Sequence, residues 1–209
     1  MQWQVWFEWL GYPVFSNTPA PSGKGIILLH GRGAGAGDMQ ALYQQLPVNC
    51  WCLTPQANHP QLSWFDGEMD YPWDKRKAQV EQAMQLLDKI IEKLNQSDVS
   101  LNQVLLAGFS QGGCLTAEFL LTRGGRLAAA AVLSGAVLNP EVQRFTGKDL
   151  GQTPVLIGVG QQDWFISLSQ AQTTAKLLDS HQAKVDLRLY PQMGHTINPD
   201  ELAWLSHQL

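Results

Sequence analysis

The sequence is sparing with cysteine and charge, and it has no long apolar run. Its three cysteines, Cys50, Cys52 and Cys114, are odd in number, and Cys50-Trp51-Cys52 is not a C-x-x-C pair. Neither a disulfide framework nor a redox or zinc pair is indicated, so a reducing, cytoplasmic setting is expected. No stretch approaches the roughly 20 apolar residues that a membrane-spanning helix needs. Residues 1–10 lack a basic start and carry Glu8 within their apolar part, which does not fit a secretory signal. Charged residues make up 15% of the chain and the formal net charge is −4, leaving no basic excess to bind nucleic acid. What is present is 209 residues, 44% of them hydrophobic, a length that suits a single well-buried domain over 1–209.

Short apolar runs alternate with helical patterns along the chain. Strands are expected at Gly25–Leu29, Asn49–Thr54, Asn102–Ala107, Ala128–Ser134, Pro154–Gly160 and Lys184–Leu189. Ahead of them, Trp3, Val5, Phe7 and Trp9 fall on one face at period two, the pattern of a half-buried edge strand. Tyr12 to Gly25, with Pro13, Pro19 and Pro21, reads as a connection. Helices are expected after Asp38, from Lys75 to Gln96, from Gly112 to Arg123, from the Ser167 capping box to about Ser180, and after Asn198-Pro199. Pro55 to Trp73 is long, irregular and aromatic, and is expected to form a wall or lid of a pocket. The alternation predicts an α/β fold, a mostly parallel sheet of about six to seven strands with helices on both faces. In such sheets chemistry gathers beyond the carboxyl ends of the strands.

At one such end lies Gly108-Phe109-Ser110-Gln111-Gly112, a G-x-S-x-G motif between a strand and a helix. A serine on this sharp turn projects its hydroxyl from the sheet, and the helix N-terminus behind it offers free N–H groups to an oxyanion. After the strand at Gly25–Leu29 comes His30-Gly31-Arg32-Gly33, a glycine-rich loop suited to a second donor. The backbone N–H groups of Arg32 and Gln111 are the expected oxyanion hole. The loop matches neither G-x-x-x-x-G-K-[ST] nor G-x-G-x-x-G, which argues against a nucleotide site.

Serine needs a base, and the base needs an anionic partner. Of five histidines, His59, His181 and His207 are placed as surface residues, and His30 lies where it would orient backbone. His195 follows the last strand, in Met193-Gly194-His195-Thr196. Asp163 leaves a strand end three positions past Gly160, whereas Asp149, Asp179 and Asp186 do not. The expected catalytic set is Ser110, Asp163 and His195. Gly31 and the aromatics Trp64, Phe65 and Trp164 are expected to line the substrate pocket.

Five motifs now stand in order: His30-Gly-Arg-Gly, Pro55-Gln-Ala-Asn ahead of Ser63-Trp-Phe-Asp66, Gly108-Phe-Ser-Gln-Gly-Gly113, Gly160-Gln-Gln-Asp163 and Gly194-His195. Together they resemble the phospholipase/carboxylesterase family of α/β-hydrolases, which includes acyl-protein thioesterases. The resemblance covers most of the chain. It implies a serine hydrolase with Ser110 as nucleophile, Asp163 as orienting acid, His195 as base and the Arg32 and Gln111 amides as oxyanion donors, with no metal or cofactor. Two positions depart from the thioesterase-like members, which typically carry an apolar residue at Arg32 and Val-Pro at Phe165-Ile166. Arg32 is expected to point to solvent; alternatively, its guanidinium favours a substrate with a carboxylate or phosphate.

The implied substrate is a small carboxylic ester or thioester. The alternatives are an acylated protein or lysophospholipid, or a non-catalytic binding protein of the same fold. A monomer or homodimer is expected.

Overall fold

The apolar runs pair into one eight-stranded sheet whose order is β1-β2-β4-β3-β5-β6-β7-β8. The strands are β1 (Gln4–Trp9), β2 (Tyr12–Ser16), β3 (Gly25–Leu29), β4 (Trp51–Pro55), β5 (Val104–Phe109), β6 (Ala129–Leu133), β7 (Pro154–Gly160) and β8 (Lys184–Tyr190). The helices are α1 (Ala36–Tyr43), α2 (Trp73–Asn95), α3 (Gln111–Arg123), α4 (Leu168–Ser180) and α5 (Pro199–Gln208). This is a computed structural model, and it describes residues 2–17, 23–142, 144–145 and 149–209. Pro19 and Pro21 of the expected Tyr12–Gly25 connection lie outside the described residues.

From β4 to β8 every pairing is parallel, as strand–helix alternation requires. Successive strand residues point to opposite faces, and each face carries its own apolar layer. Ile27, Leu106, Val132 and Ile157 meet α2, α3 and α4 through residues such as Leu87, Leu120 and Leu178. Ile26, Leu105, Ala131 and Leu156 meet α1 and α5 through Met39, Tyr43 and Leu205. Helices therefore cover both faces, and the interior strands read as continuous apolar runs because both of their sides are buried.

Three expectations are corrected. The first half of the Tyr12–Gly25 connection is a strand, β2, which together with β1 gives eight strands rather than about six to seven. Leu10 and Gly11 carry φ of 48° and 81°, the two left-handed positions of a tight hairpin turn, and they join Trp9 to its partner Tyr12. Pro13 is tolerated because the β4 ladder begins only at Val14, where no Pro13 N–H is called for.

In β1 the period-two face is broken by a bulge between Val5 and Phe7. Val5 is thereby exposed, while Trp6 packs its ring on Trp51 at 4.8 Å. Asp38 is not the cap of α1: Gly35 holds that position, and the Asp38 carboxylate accepts the Gly35 N–H at 2.8 Å from one turn inside.

Candidate active site

Ser110 stands between β5 and α3 with φ 56° and ψ −118°, a conformation that ordinary residues avoid. The surroundings hold it there. Its N–H donates to the Leu133 carbonyl at 2.9 Å, and its carbonyl accepts from Cys114 at 2.9 Å to open the helix. The turn is so tight that a Cβ at Gly108 would overlap the Gly112 carbonyl, and one at Gly112 would overlap the Leu29 carbonyl. Both glycines of the motif are thus required by close backbone approach.

Two other strand ends complete the constellation. The His195 imidazole, in the loop after β8, places Nε2 2.8 Å from Ser110 Oγ and Nδ1 2.8 Å from Asp163 Oδ2. Asp163, after β7, uses its other oxygen to accept from the N–H groups of Phe165 (2.9 Å) and Ile166 (3.0 Å). That turn fixes the carboxylate and also sorts its neighbours. Phe165, though half-exposed, sets its ring 4.8 Å from the His195 ring, and the Phe109 ring lies 4.9 Å from the imidazole. An imidazole held between a hydroxyl and a carboxylate in this way can remove the hydroxyl proton while its positive charge is stabilised.

The backbone N–H groups of Arg32 and Gln111 have no acceptor among the described residues. Both residues line the same cavity as Ser110. Gly31 stands against Ser110, where an added Cβ would lie 3.1 Å from the serine Cβ.

His30 is fully buried, and burial holds its pKa below the ordinary histidine value. Its Nδ1 contacts the Gly31 carbonyl at 2.7 Å and its Nε2 accepts the Ala57 N–H at 3.0 Å, which assigns the neutral tautomer protonated on Nδ1. It orients backbone, the role its position in the sequence suggests.

The cavity above Ser110 measures about 240 Å³ and has largely apolar walls, including Phe65, Met69, Cys114 and Ile166. Gly31 and Phe65 line it. Trp64 and Trp164 do not. Trp64 is buried beneath the loop, stacked on Tyr12 with its indole N–H donating to the His30 carbonyl at 2.8 Å. Trp164 is 87% exposed; of its two successors on the turn at Asp163, Ile166 is buried and Phe165 stays half-exposed. Cys114 is buried at the cavity wall, and desolvation pushes its thiol up to about 12.

Arg32 is neither free in solvent nor vacant. Its guanidinium donates to the Gly67 carbonyl and pairs with Glu68 at 2.6 Å, tying the 55–73 segment to the loop after β3. The Gln111 side chain has a role that no local pattern signals: it accepts from Trp64 N–H at 3.0 Å and donates to the Phe65 carbonyl at 2.8 Å. Among the described residues no group of three His, Cys, Asp or Glu side chains is placed to hold a metal, and no helix is long and apolar enough to cross a membrane.

A model of the phospholipase/carboxylesterase family matches residues 11–209. The chain is 28% identical to carboxylesterase SOBER1 of Arabidopsis thaliana over 216 residues, covering 98% of this chain and 90% of that protein. It is 29% identical to acyl-protein thioesterase 1 of Cryptococcus neoformans over 219 residues, covering 88% and 92%. With a probable carboxylesterase SOBER1-like protein of Arabidopsis thaliana it shares 27% identity over 151 residues, which span 70% of this chain and 58% of that one. Among solved structures, a phospholipase/carboxylesterase from Dyadobacter fermentans superposes with a TM-score of 0.85 at 26% identity, covering 93% of this chain and 94% of that one. Sheet order, strand-end serine and matched span agree, and the chain belongs to the phospholipase/carboxylesterase family of α/β-hydrolases.

Proposed function

We propose that the protein is a serine carboxylesterase acting on small carboxylic esters or thioesters through an acyl-enzyme. The observation that carries this reading is the unbroken line from Asp163 Oδ2 through both nitrogens of His195 to Ser110 Oγ, with 2.8 Å at each link. His195 Nε2 takes the Ser110 proton as Oγ bonds to the carbonyl carbon. The oxyanion that forms is held by the Arg32 and Gln111 N–H groups. As the tetrahedral species collapses, the bond to the leaving oxygen or sulfur breaks and His195 protonates that atom. Water then repeats the sequence on the acyl-enzyme, releasing the carboxylic acid and restoring the serine.

Small acyl groups are favoured because the cavity above Ser110 is only about 240 Å³. A reducing compartment belongs to the same reading, since Cys50, Cys52 and Cys114 are all buried and unpaired.

Intact-mass labelling with a fluorophosphonate tests the proposal. One adduct on the wild type, lost in Ser110→Ala and His195→Ala, is expected, with ester turnover falling by roughly four to six orders of magnitude in both variants. Folded wild-type protein that takes no adduct overturns it.

A further inference from the structure

Beside the catalytic cavity lies a second one, of about 450 Å³. Among the described residues the two share a single lining side chain, Met69. Their linings differ in balance. The cavity above Ser110 has mostly apolar walls, whereas its neighbour sets Val137 and Pro140 beside six polar residues, Asp70, Asn139, Glu141 and Thr173 among them, and among the described residues no lysine or arginine lines it.

Met69 divides them in a particular way. The backbone around it is clasped from two directions. The buried Arg76 guanidinium of α2 donates to the Glu68 and Tyr71 carbonyls, and Arg32 donates to the Gly67 carbonyl while pairing with Glu68. The methionine side chain itself is only partly buried; its sulfur rests 3.9 Å from the Cys114 sulfur. Fixed backbone with an unbranched, polarizable side chain makes a partition that can turn aside without moving the loop.

The far cavity has an excess of acceptors. Asn139 is 8% exposed; its amide N–H₂ serves the Tyr71 carbonyl and Glu141, but its carbonyl oxygen is buried with no partner among the described residues. Asp70 and Glu141, both exposed to solvent, add carboxylates to the lining, and Glu141 already accepts from the Asn139 amide. An occupant that brings hydrogen-bond donors meets this demand, and an alkyl chain leaves it unmet.

We propose that the cavity behind Met69 is a second substrate subsite, which receives the hydrogen-bond-donating far end, hydroxyl or ammonium, of an acyl group attached at Ser110, with Met69 as the specificity-determining partition. The proposal rests on the esterase reading above.

The test compares p-nitrophenyl acetate, octanoate, 8-hydroxyoctanoate and 8-aminooctanoate on wild type, Met69→Ala and Met69→Ala/Thr173→Phe. The quantity read is the kcat/KM ratio of each donor-bearing ester to octanoate within each protein. Opening the partition is expected to raise that ratio by about tenfold for at least one donor-bearing ester, a change of the size that one satisfied polar contact brings. Filling the far cavity from α4 with the phenylalanine should abolish that gain and bring the ratio to the value of Thr173→Phe alone. A larger gain for the amine than for the alcohol assigns the two carboxylates as the dominant partners, and the reverse assigns the neutral acceptors.

Thr173→Phe alone should lower the wild-type ratio, which keeps the test decisive if Met69→Ala does not fold. Equal gains for octanoate and its donor-bearing analogues, or a ratio that no variant moves, overturn the subsite. If wild type fails even on acetate, the esterase reading falls and the subsite with it. Acetate turnover that disappears in Ser110→Ala beside an unmoved ratio removes the subsite alone.

Discussion

The Gln111 side chain and the Trp64 backbone are bonded to each other across the active site: the Gln111 amide oxygen takes the Trp64 N–H at 3.0 Å, and the Gln111 amide nitrogen reaches the next carbonyl, that of Phe65, at 2.8 Å. One residue thereby lines the cavity above Ser110 and secures the segment that walls it.

Gln111→Ala separates these two roles, because the backbone amide stays. Two buried backbone groups, the Trp64 N–H and the Phe65 carbonyl, lose their partners, which should cost about 1–3 kcal/mol each if unreplaced. Urea denaturation should show a lowered midpoint. Ester kinetics should show a raised KM with a smaller fall in kcat, since the wall loosens while the N–H stays. A collapse in kcat at unchanged KM would instead place the side chain in the chemistry itself.

Glu201 caps α5 from within, its Oε2 taking the Asn198 N–H at 2.8 Å while Oε1 is buried without a partner among the described residues. Desolvation raises its pKa from 4.5 to about 7. Asp200 adds to that rise, while Arg188, itself paired with Asp186 and Asp200, opposes it weakly. A carboxyl whose folded pKa is raised binds more protons folded than unfolded, so stability falls as pH climbs from about 4.5 to about 7 and stays lower above it. The loss is at most about 3 kcal/mol. Unfolding free energies at pH 5 and pH 8 measure it, and Glu201→Gln, which mimics the protonated acid, should flatten the difference. An equally steep dependence in the variant would assign it to other groups.

The Arg32–Glu68 pair is 31% and 62% exposed, and a pair so open to water contributes about 0–1 kcal/mol to stability. Glu68 is therefore displaceable. A carboxylate on the substrate would compete with it for the guanidinium, so Glu68→Gln should lower KM for a p-nitrophenyl monosuccinate by about threefold to tenfold, and Arg32→Ala should raise it. Neutral butyrate is the control. Parallel changes on both esters would show that the pair acts on the loop rather than on charge.

The strand ends were the most legible part of this chain. Asn102–Ala107 and Pro154–Gly160 read as buried strands because both faces of a parallel sheet are covered, and their ends put Ser110 and Asp163 on the same edge of the sheet. The left-handed pair Leu10-Gly11 was not legible as a hairpin, since only its glycine announces positive φ. The extra residue of the β1 bulge reversed the facing of Val5 and Trp6, a shift that alternation cannot reveal.

Trp64 and Trp164 show a further limit. Aromatic content marks a segment as packed, but whether an indole faces the cavity, the core or solvent depends on its partners. Here those are the His30 carbonyl under one ring and the Asp163 turn beside the other. Met69 and Gln111 act through residues far off in sequence, and nothing local marks them.

The position of Cys114 bears on covalent inhibition. The cavity holds two potential nucleophiles, and burial keeps one of them, the Cys114 thiol, protonated well beyond neutral pH. Soft alkylating agents and peroxide, which need a thiolate, meet almost none there. An electrophile seated in this cavity therefore has a built-in chemoselectivity for the hydroxyl over the sulfur, the reverse of the order their free side chains would follow.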